Sequence, residues 1–189
     1  SANSVDIIRE RKNKVNFSCG VSINNLSLNE NDIGDFKTFL KLSPPLRTET
    51  DRNALVQGLN DETIDVIVSD HKPEDEENKR LTFAQAETGA SGIETLLPLS
   101  LELYHNGSVD LETIIKALTS KPAEILKINK GNLSTGNDAD FCIVDINKPW
   151  VVRKEKLISK SKNTPIEDKK LQGKVISTFV NGEELFKSE

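Results

Sequence analysis

Residues 64–73 read Ile-Asp-Val-Ile-Val-Ser-Asp-His-Lys-Pro. Asp65 to Val68 is a short apolar run without polar alternation, bounded on both sides by polar residues. That pattern predicts a strand buried on both faces, as in a parallel sheet. A parallel strand needs a crossover connection, and helical patterns flank this one. Thr50 to Leu59 carries apolar residues at Leu55, Val56 and Leu59. Downstream, Ile93 to Tyr104, Asp110 to Thr119 and Pro122 to Ile128 are each predicted helical. Strands alternating with helices of these lengths argue for an α/β fold.

Working upstream, Lys14 to Ile23 alternates apolar and polar residues and predicts a strand. Ser4 to Lys12 predicts a helix with Ser4 as N-cap. Asn29 to Phe39 is acidic and loop-like before turning helical, and Pro44-Pro45 fixes an extended loop. Working downstream, Glu74 to Arg80 is so charged that it reads as solvated loop. The character changes near Gly131. Asp140 to Asp145, Trp150 to Val152 and Lys174 to Val180 are strand-like, and Asn181-Gly182 predicts a tight hairpin returning through Glu183 to Phe186. The expected division is residues 1–132 as an α/β part and 133–189 as a small separate sheet.

The 189 residues carry a net charge of -5, which offers no general attraction to nucleic acid or to an anionic membrane. No apolar run approaches the length of a membrane helix. Cys19 and Cys142 match no metal or redox spacing and are expected to be small buried side chains in a reducing, cytoplasmic setting. The sequence contains no methionine and begins directly in a helical pattern, so a piece of a longer protein is expected.

Parallel α/β folds place their chemistry where strands end at their carboxyl side. The strand at Asp65–Val68 ends at Ser69-Asp70-His71, where a carboxylate and an imidazole could hold a metal or move a proton. The alternative is that Asp70 caps the next segment and His71 packs under a loop. His105 reads as an ordinary C-terminal helix residue. No Ser-His-Asp or Cys-His set and no phosphate-binding glycine loop is present, and two histidines cannot complete a catalytic zinc site in one chain.

An ordered series of motifs resembles the class I dihydroorotases. It runs from Leu42-Ser43-Pro44-Pro45-Leu46-Arg47 through Asp51-Arg52 to Ile64–Pro73. Gly92-Ile93-Glu94-Thr95, Ser120-Lys121-Pro122-Ala123 and Gly136-Asn137-Asp138-Ala139-Asp140 follow. Ser159-Lys160-Ser161-Lys162-Asn163-Thr164-Pro165 and Gly173-Lys174-Val175 complete it. The resemblance implies the C-terminal half of a (β/α)8 TIM-type barrel plus part of a small β-sandwich. It implies zinc-dependent, reversible cyclisation of N-carbamoyl-L-aspartate to dihydroorotate, with Asp70 as metal ligand and proton shuttle.

The other ligands of that family lie upstream of the segment opened by Ser1, so this chain alone is expected to be inactive. Substrate contacts are expected at Ser43, Glu74, Thr88 and Gly89. Each departs from the family pattern or sits in a motif that does: Ser43 replaces an asparagine, Glu74 a histidine, and Glu87-Thr88-Gly89 stands for Pro-Phe-Gly. Asn24-Asn25 replaces a double histidine. A carboxylate at position 74 beside a dicarboxylate substrate turns attraction into repulsion. The resemblance therefore also admits a non-catalytic homologue that supports aspartate transcarbamoylase. An open half barrel would leave sheet edges and apolar helix faces exposed, which favours a homo-oligomer.

Overall fold

The computed structural model describes residues 1–188. Helix α1 spans Ala2–Lys12, and its N-cap is Ser1 rather than the expected Ser4: the Ser1 hydroxyl accepts from the Ser4 backbone N–H. The helix begins two residues earlier because Ala2 N also donates to the Asp51 carboxylate at 2.7 Å. Of the predicted strand Lys14–Ile23 only Gly20–Ser22 (β1) forms. The alternation upstream has no partner strand to fix it, and Ile23–Ser27 turns at once into the short helix α2. Single 3-10 turns at Glu30–Ile33 and Thr38–Leu40 occupy the acidic stretch.

Helix α3 spans Glu49–Asn60, capped by Thr48, whose hydroxyl accepts from Asp51 N, and it buries Val56 and Leu59. Strand β2, Val66–Val68, pairs in parallel with β1, with Gly20 opposite Val66 and Ser22 opposite Val68. The expected parallel strand is therefore present, and α3 is the crossover that precedes it. The stretch read as loop at Glu74–Arg80 contains a short helix α4, Glu76–Lys79. Helices α5 (Leu96–His105), α6 (Leu111–Leu118) and α7 (Ser120–Leu126) follow, with the Asp110 side chain capping α6 through Thr113 N.

Beyond this mixed α/β region, β3 (Phe141–Val151), β4 (Lys170–Val180) and β5 (Glu183–Lys187) make an antiparallel sheet in chain order. Asn181 and Gly182 both take positive φ, 52° and 80°, as a two-residue hairpin turn requires. One hydrophobic cluster joins the two regions: Ile23, Leu59, Ile67, Leu99 and Ile114 belong to it together with Val152, Leu157 and Leu171. The contact is close at Gly173, where a Cβ would lie 2.3 Å from Leu101 Cδ1.

The cysteines need correction. Cys19 is half-buried and Cys142 is exposed. In β3 the side chains alternate, so Phe141 stacks on Phe179 with ring centroids 4.6 Å apart, and Cys142 falls on the other, uncovered face.

Candidate active site

The two parallel strands end side by side. Ser22 closes β1, and β2 runs on through Ser69, Asp70 and His71. Three restraints fix this strand end. The His71 backbone pairs with Ala90 as an isolated parallel bridge. Gly92 packs so close to Ser69 that a Cβ there would meet the Ser69 carbonyl oxygen at 2.4 Å. His71 Nδ1 accepts the Gly92 N–H at 3.1 Å. An accepting Nδ1 carries no proton, so in neutral His71 the proton sits on Nε2.

Asp70 itself is half-buried and holds φ at 49°, in the left-handed region that aspartate tolerates better than most residues. Its carboxylate makes no hydrogen bond or ion pair among the described residues. A partly buried, unpaired carboxylate at the carboxyl end of a parallel strand can accept a proton or supply one ligand to a cation. The alternative in which Asp70 caps the next segment has no supporting hydrogen bond. His71 does pack against the following loop.

The expected substrate positions fall into one connected group and one outlier. Lys72 Nζ donates to the Thr88 carbonyl at 2.7 Å and to Thr88 Oγ1 at 3.3 Å, and it lies 3.2 Å from the Glu74 carboxylate. Glu74, Thr88 and Lys72 thus form one cluster immediately after Asp70. The Glu74 charge is not isolated, because Lys72 offsets it. Gly89 has φ 139°, and a Cβ would meet the Lys72 carbonyl at 2.7 Å, so no side chain fits there. Ser43 is exposed on a separate loop and has no hydrogen bond to the others. That loop is held by Asn25, whose Nδ2 donates to the Pro45 carbonyl at 3.2 Å.

Two organisers escaped the sequence. Lys79 lies in the stretch read as solvated loop yet is 0% exposed, with Nζ donating to the carbonyls of Lys41, Glu87 and Gly89. Burial pushes its ammonium down to about 8, and the Glu74 carboxylate opposes that shift. Asn163, also fully buried, donates from Nδ2 to the Gly89 carbonyl and accepts at Oδ1 from Ser91 Oγ. Asn163 belongs to a quoted motif, but nothing in its residue type points at Gly89.

Asn24 and Asn25 are buried, with both polar atoms of Asn24 and the Asn25 Oδ1 lacking a partner among the described residues. Cys19 is unsuited to nucleophilic work. Burial, followed by the Asp65 carboxylate, pushes its thiol up, and Sγ donates to the Thr63 carbonyl. His105 Nε2 sits 2.9 Å from the Ile146 carbonyl, a structural contact between α5 and β3.

Among the described residues no group of three His, Cys, Asp or Glu could hold a metal ion. The residues present therefore do not fit a complete zinc site, which needs at least three protein ligands. Among the described residues no helix is long and apolar enough to cross a membrane.

The chain is 43% identical to a dihydroorotase of Ehrlichia canis (strain Jake), over 96% of this chain and 41% of the relative. It is 41% identical to a dihydroorotase of Anaplasma phagocytophilum (strain HZ), over 98% of this chain and 42% of the relative. The chain thus spans about two-fifths of the length of the curated relatives it matches. Among solved structures, the L-hydantoinase of Arthrobacter aurescens superposes with a TM-score of 0.90 at 27% identity, covering 98% of this chain and 43% of that one. A dihydropyrimidinase from Brevibacillus agri NCHU1002 gives the same TM-score at 24% identity and so shares the fold, covering 98% of this chain and 43% of that one. Residues 1–185 match the amidohydrolase family. With a carboxylate at the carboxyl end of a parallel strand, and with these relatives, the chain belongs to the amidohydrolase family.

Proposed function

We propose that this chain is the C-terminal part of a dihydroorotase, which cyclises N-carbamoyl-L-aspartate to dihydroorotate reversibly. Residues 1–132 are then half of a (β/α)8 barrel, and residues 133–189 part of a β-sandwich. The observation that carries this reading is the unpaired Asp70 carboxylate at the end of β2, in a chain with dihydroorotases among its relatives. Zinc belongs to that reading as the metal of the whole protein, with Asp70 the ligand supplied from this chain. Asp70 would be one ligand of such a metal, whose chemistry would be activation of water and Lewis-acid polarisation, with the remaining ligands coming from outside this chain.

What these residues do is more limited. In ring opening Asp70 carries the proton from the attacking oxygen to the leaving nitrogen, and in cyclisation from the attacking nitrogen to the leaving oxygen. Lys72, Glu74, Thr88 and Gly89 border the substrate from one loop, and Ser43 from another. The protein is a cytoplasmic homo-oligomer acting on a small molecule. The enzyme names of the relatives favour catalysis over the alternative role of supporting aspartate transcarbamoylase.

The test is Asp70→Ala in the whole protein. Turnover of N-carbamoyl-L-aspartate is expected to vanish while the protein stays folded, with stability lowered by no more than about 1 kcal/mol, since Asp70 makes no contact to lose and alanine only tolerates φ 49° less well. Undiminished turnover refutes the role.

A further inference from the structure

Lys79 is a buried ammonium without a carboxylate partner among the described residues, which is costly unless its protons are all placed. They are placed. Three N–H groups meet three main-chain carbonyls, of Lys41 at 3.2 Å, Glu87 at 2.8 Å and Gly89 at 3.0 Å. In the ammonium form Nζ carries no lone pair, and all three of its N–H groups are engaged. The acceptors are informative because they belong to different segments. Glu87 and Gly89 flank Thr88. Lys41 lies two residues before Ser43, and its carbonyl also takes the Gly89 N–H at 3.0 Å.

Further ties run alongside. Lys41 Nζ donates to the carbonyls of Ala84 at 2.9 Å and Ala86 at 2.7 Å. Thr38 Oγ1 donates to the Lys79 carbonyl, and Glu87 N donates to that of Asn78 at 3.1 Å. Ser43 and Thr88, which share no hydrogen bond, thus lie in segments joined by the Lys79 and Lys41 side chains and by the Gly89–Lys41 main-chain bond.

We infer that Lys79 is a positioning residue whose ammonium fixes the span between the Ser43 loop and the Thr88–Gly89 loop. The link to substrate rests on the dihydroorotase reading; the span itself does not.

The test is Lys79→Met in the whole protein, read by backbone hydrogen exchange and by steady-state kinetics. Methionine keeps the length and apolar stem but removes all three N–H donors, which leaves the Glu87 carbonyl without this partner and the Lys41 and Gly89 carbonyls with one donor each, so exchange in residues 38–45 and 84–92 is expected to rise together, by about tenfold. The KM for N-carbamoyl-L-aspartate is expected to rise by about tenfold with kcat within about threefold, because misplaced loops weaken binding without touching Asp70. Should Lys79→Met not fold, Lys79→Gln keeps two N–H donors and is read the same way. A rise in exchange at only one segment, or at neither, overturns the inference, as does a fall in kcat with KM unchanged. If the unaltered protein shows no turnover, the dihydroorotase reading falls and exchange alone decides on Lys79: a joint rise supports it, a one-sided or absent rise overturns it.

Discussion

Asn163 reaches back 74 residues along the chain to Gly89, its Nδ2 donating to the Gly89 carbonyl at 3.2 Å. Its Oδ1 accepts from Ser91 Oγ at 2.8 Å and from Ser161 Oγ at 2.5 Å. Ser91 N returns a bond to the Asn163 carbonyl at 3.2 Å. One fully buried amide therefore holds the Thr88–Gly92 loop against the segment that leads into the antiparallel sheet.

This network makes a discriminating prediction. Asn163→Ala leaves buried hydroxyls and a carbonyl short of partners, and is expected to cost about 2 kcal/mol in urea unfolding at constant m. Asn163→Asp has nearly the same volume but replaces both N–H donors with acceptors facing the carbonyls of Gly89 and Lys72. It is expected to cost at least as much as alanine. An aspartate variant as stable as the parent would break the account.

Gly92 carries a second prediction. A Cβ at this position meets the Ser69 carbonyl oxygen at 2.4 Å, with backbone on both sides of the clash. Gly92→Ala is expected to destabilise by about 2 kcal/mol, as overpacking does, and to lower turnover by moving the strand end that carries Asp70. Gly107→Ala is the control. It has φ 74° and nothing within 4 Å, so its cost is conformational alone, about 1 kcal/mol. An equal or smaller loss at Gly92 would show that Ser69 yields.

The contrast between what was legible in the sequence and what was not follows from where each signal lives. Asp65–Val68 was legible as a parallel strand because a short apolar run without alternation is a local fact, but only Val66–Val68 forms it, and Val68 is 44% exposed, so the expected cover on both faces is incomplete. The Asn181-Gly182 hairpin was legible because positive φ at both positions selects those residue types. The place of Asp70 just past the end of β2 was legible because the apolar run stops at Val68. Lys14–Ile23 misled because alternation predicts a strand only where a neighbour pairs with it, and only Gly20–Ser22 has one. Lys79 was invisible for a different reason. Its neighbours Glu76, Glu77, Asn78 and Arg80 are charged or polar, and the carbonyls that accept its protons lie at positions 41, 87 and 89. Backbone acceptors carry no residue type, so no reading of side chains finds them. The same holds for the Asn163 amide nitrogen, whose partners are the carbonyls of Gly89 and Lys72.

Acid stability offers a third prediction. Arg52 donates to both oxygens of Glu49, at 2.8 Å and 2.5 Å, and Asn29 Nδ2 donates at 2.8 Å. Those bonds, Arg52 foremost, hold the Glu49 carboxyl at about 2. A carboxyl depressed in the folded state contributes stability that is complete above its unfolded pKa, about 4.3, and is lost as pH falls toward the folded value. Glu49→Gln is therefore expected to be less stable than the parent at pH 7, with the difference closing between about pH 4.3 and 2. Because Glu49 is largely exposed, the gap at pH 7 is expected to be under about 1 kcal/mol. Urea midpoints of both proteins across pH 2 to 7 check this, and a gap that persists unchanged at pH 2 would mean the carboxylate is not its source.

Glu74 carries the last prediction. Its side chain is 17% exposed and lies 3.2 Å from Lys72 Nζ, so the carboxylate pairs with a lysine two positions beyond Asp70 in the chain. Glu74→His removes a negative charge and releases Lys72 from its ion pair in one step. Both changes favour a dianion, and the Kd for N-carbamoyl-L-aspartate is expected to fall by about three- to tenfold in the whole protein. Lys72→Ala moves the other way, since it strips the cation and leaves Glu74 unopposed. Calorimetric titration at low and high salt separates charge from shape: the gain from Glu74→His should shrink as screening rises. If neither substitution changes Kd, the cluster after Asp70 does not face the substrate, and Glu74 and Lys72 are a surface pair that steadies the loop.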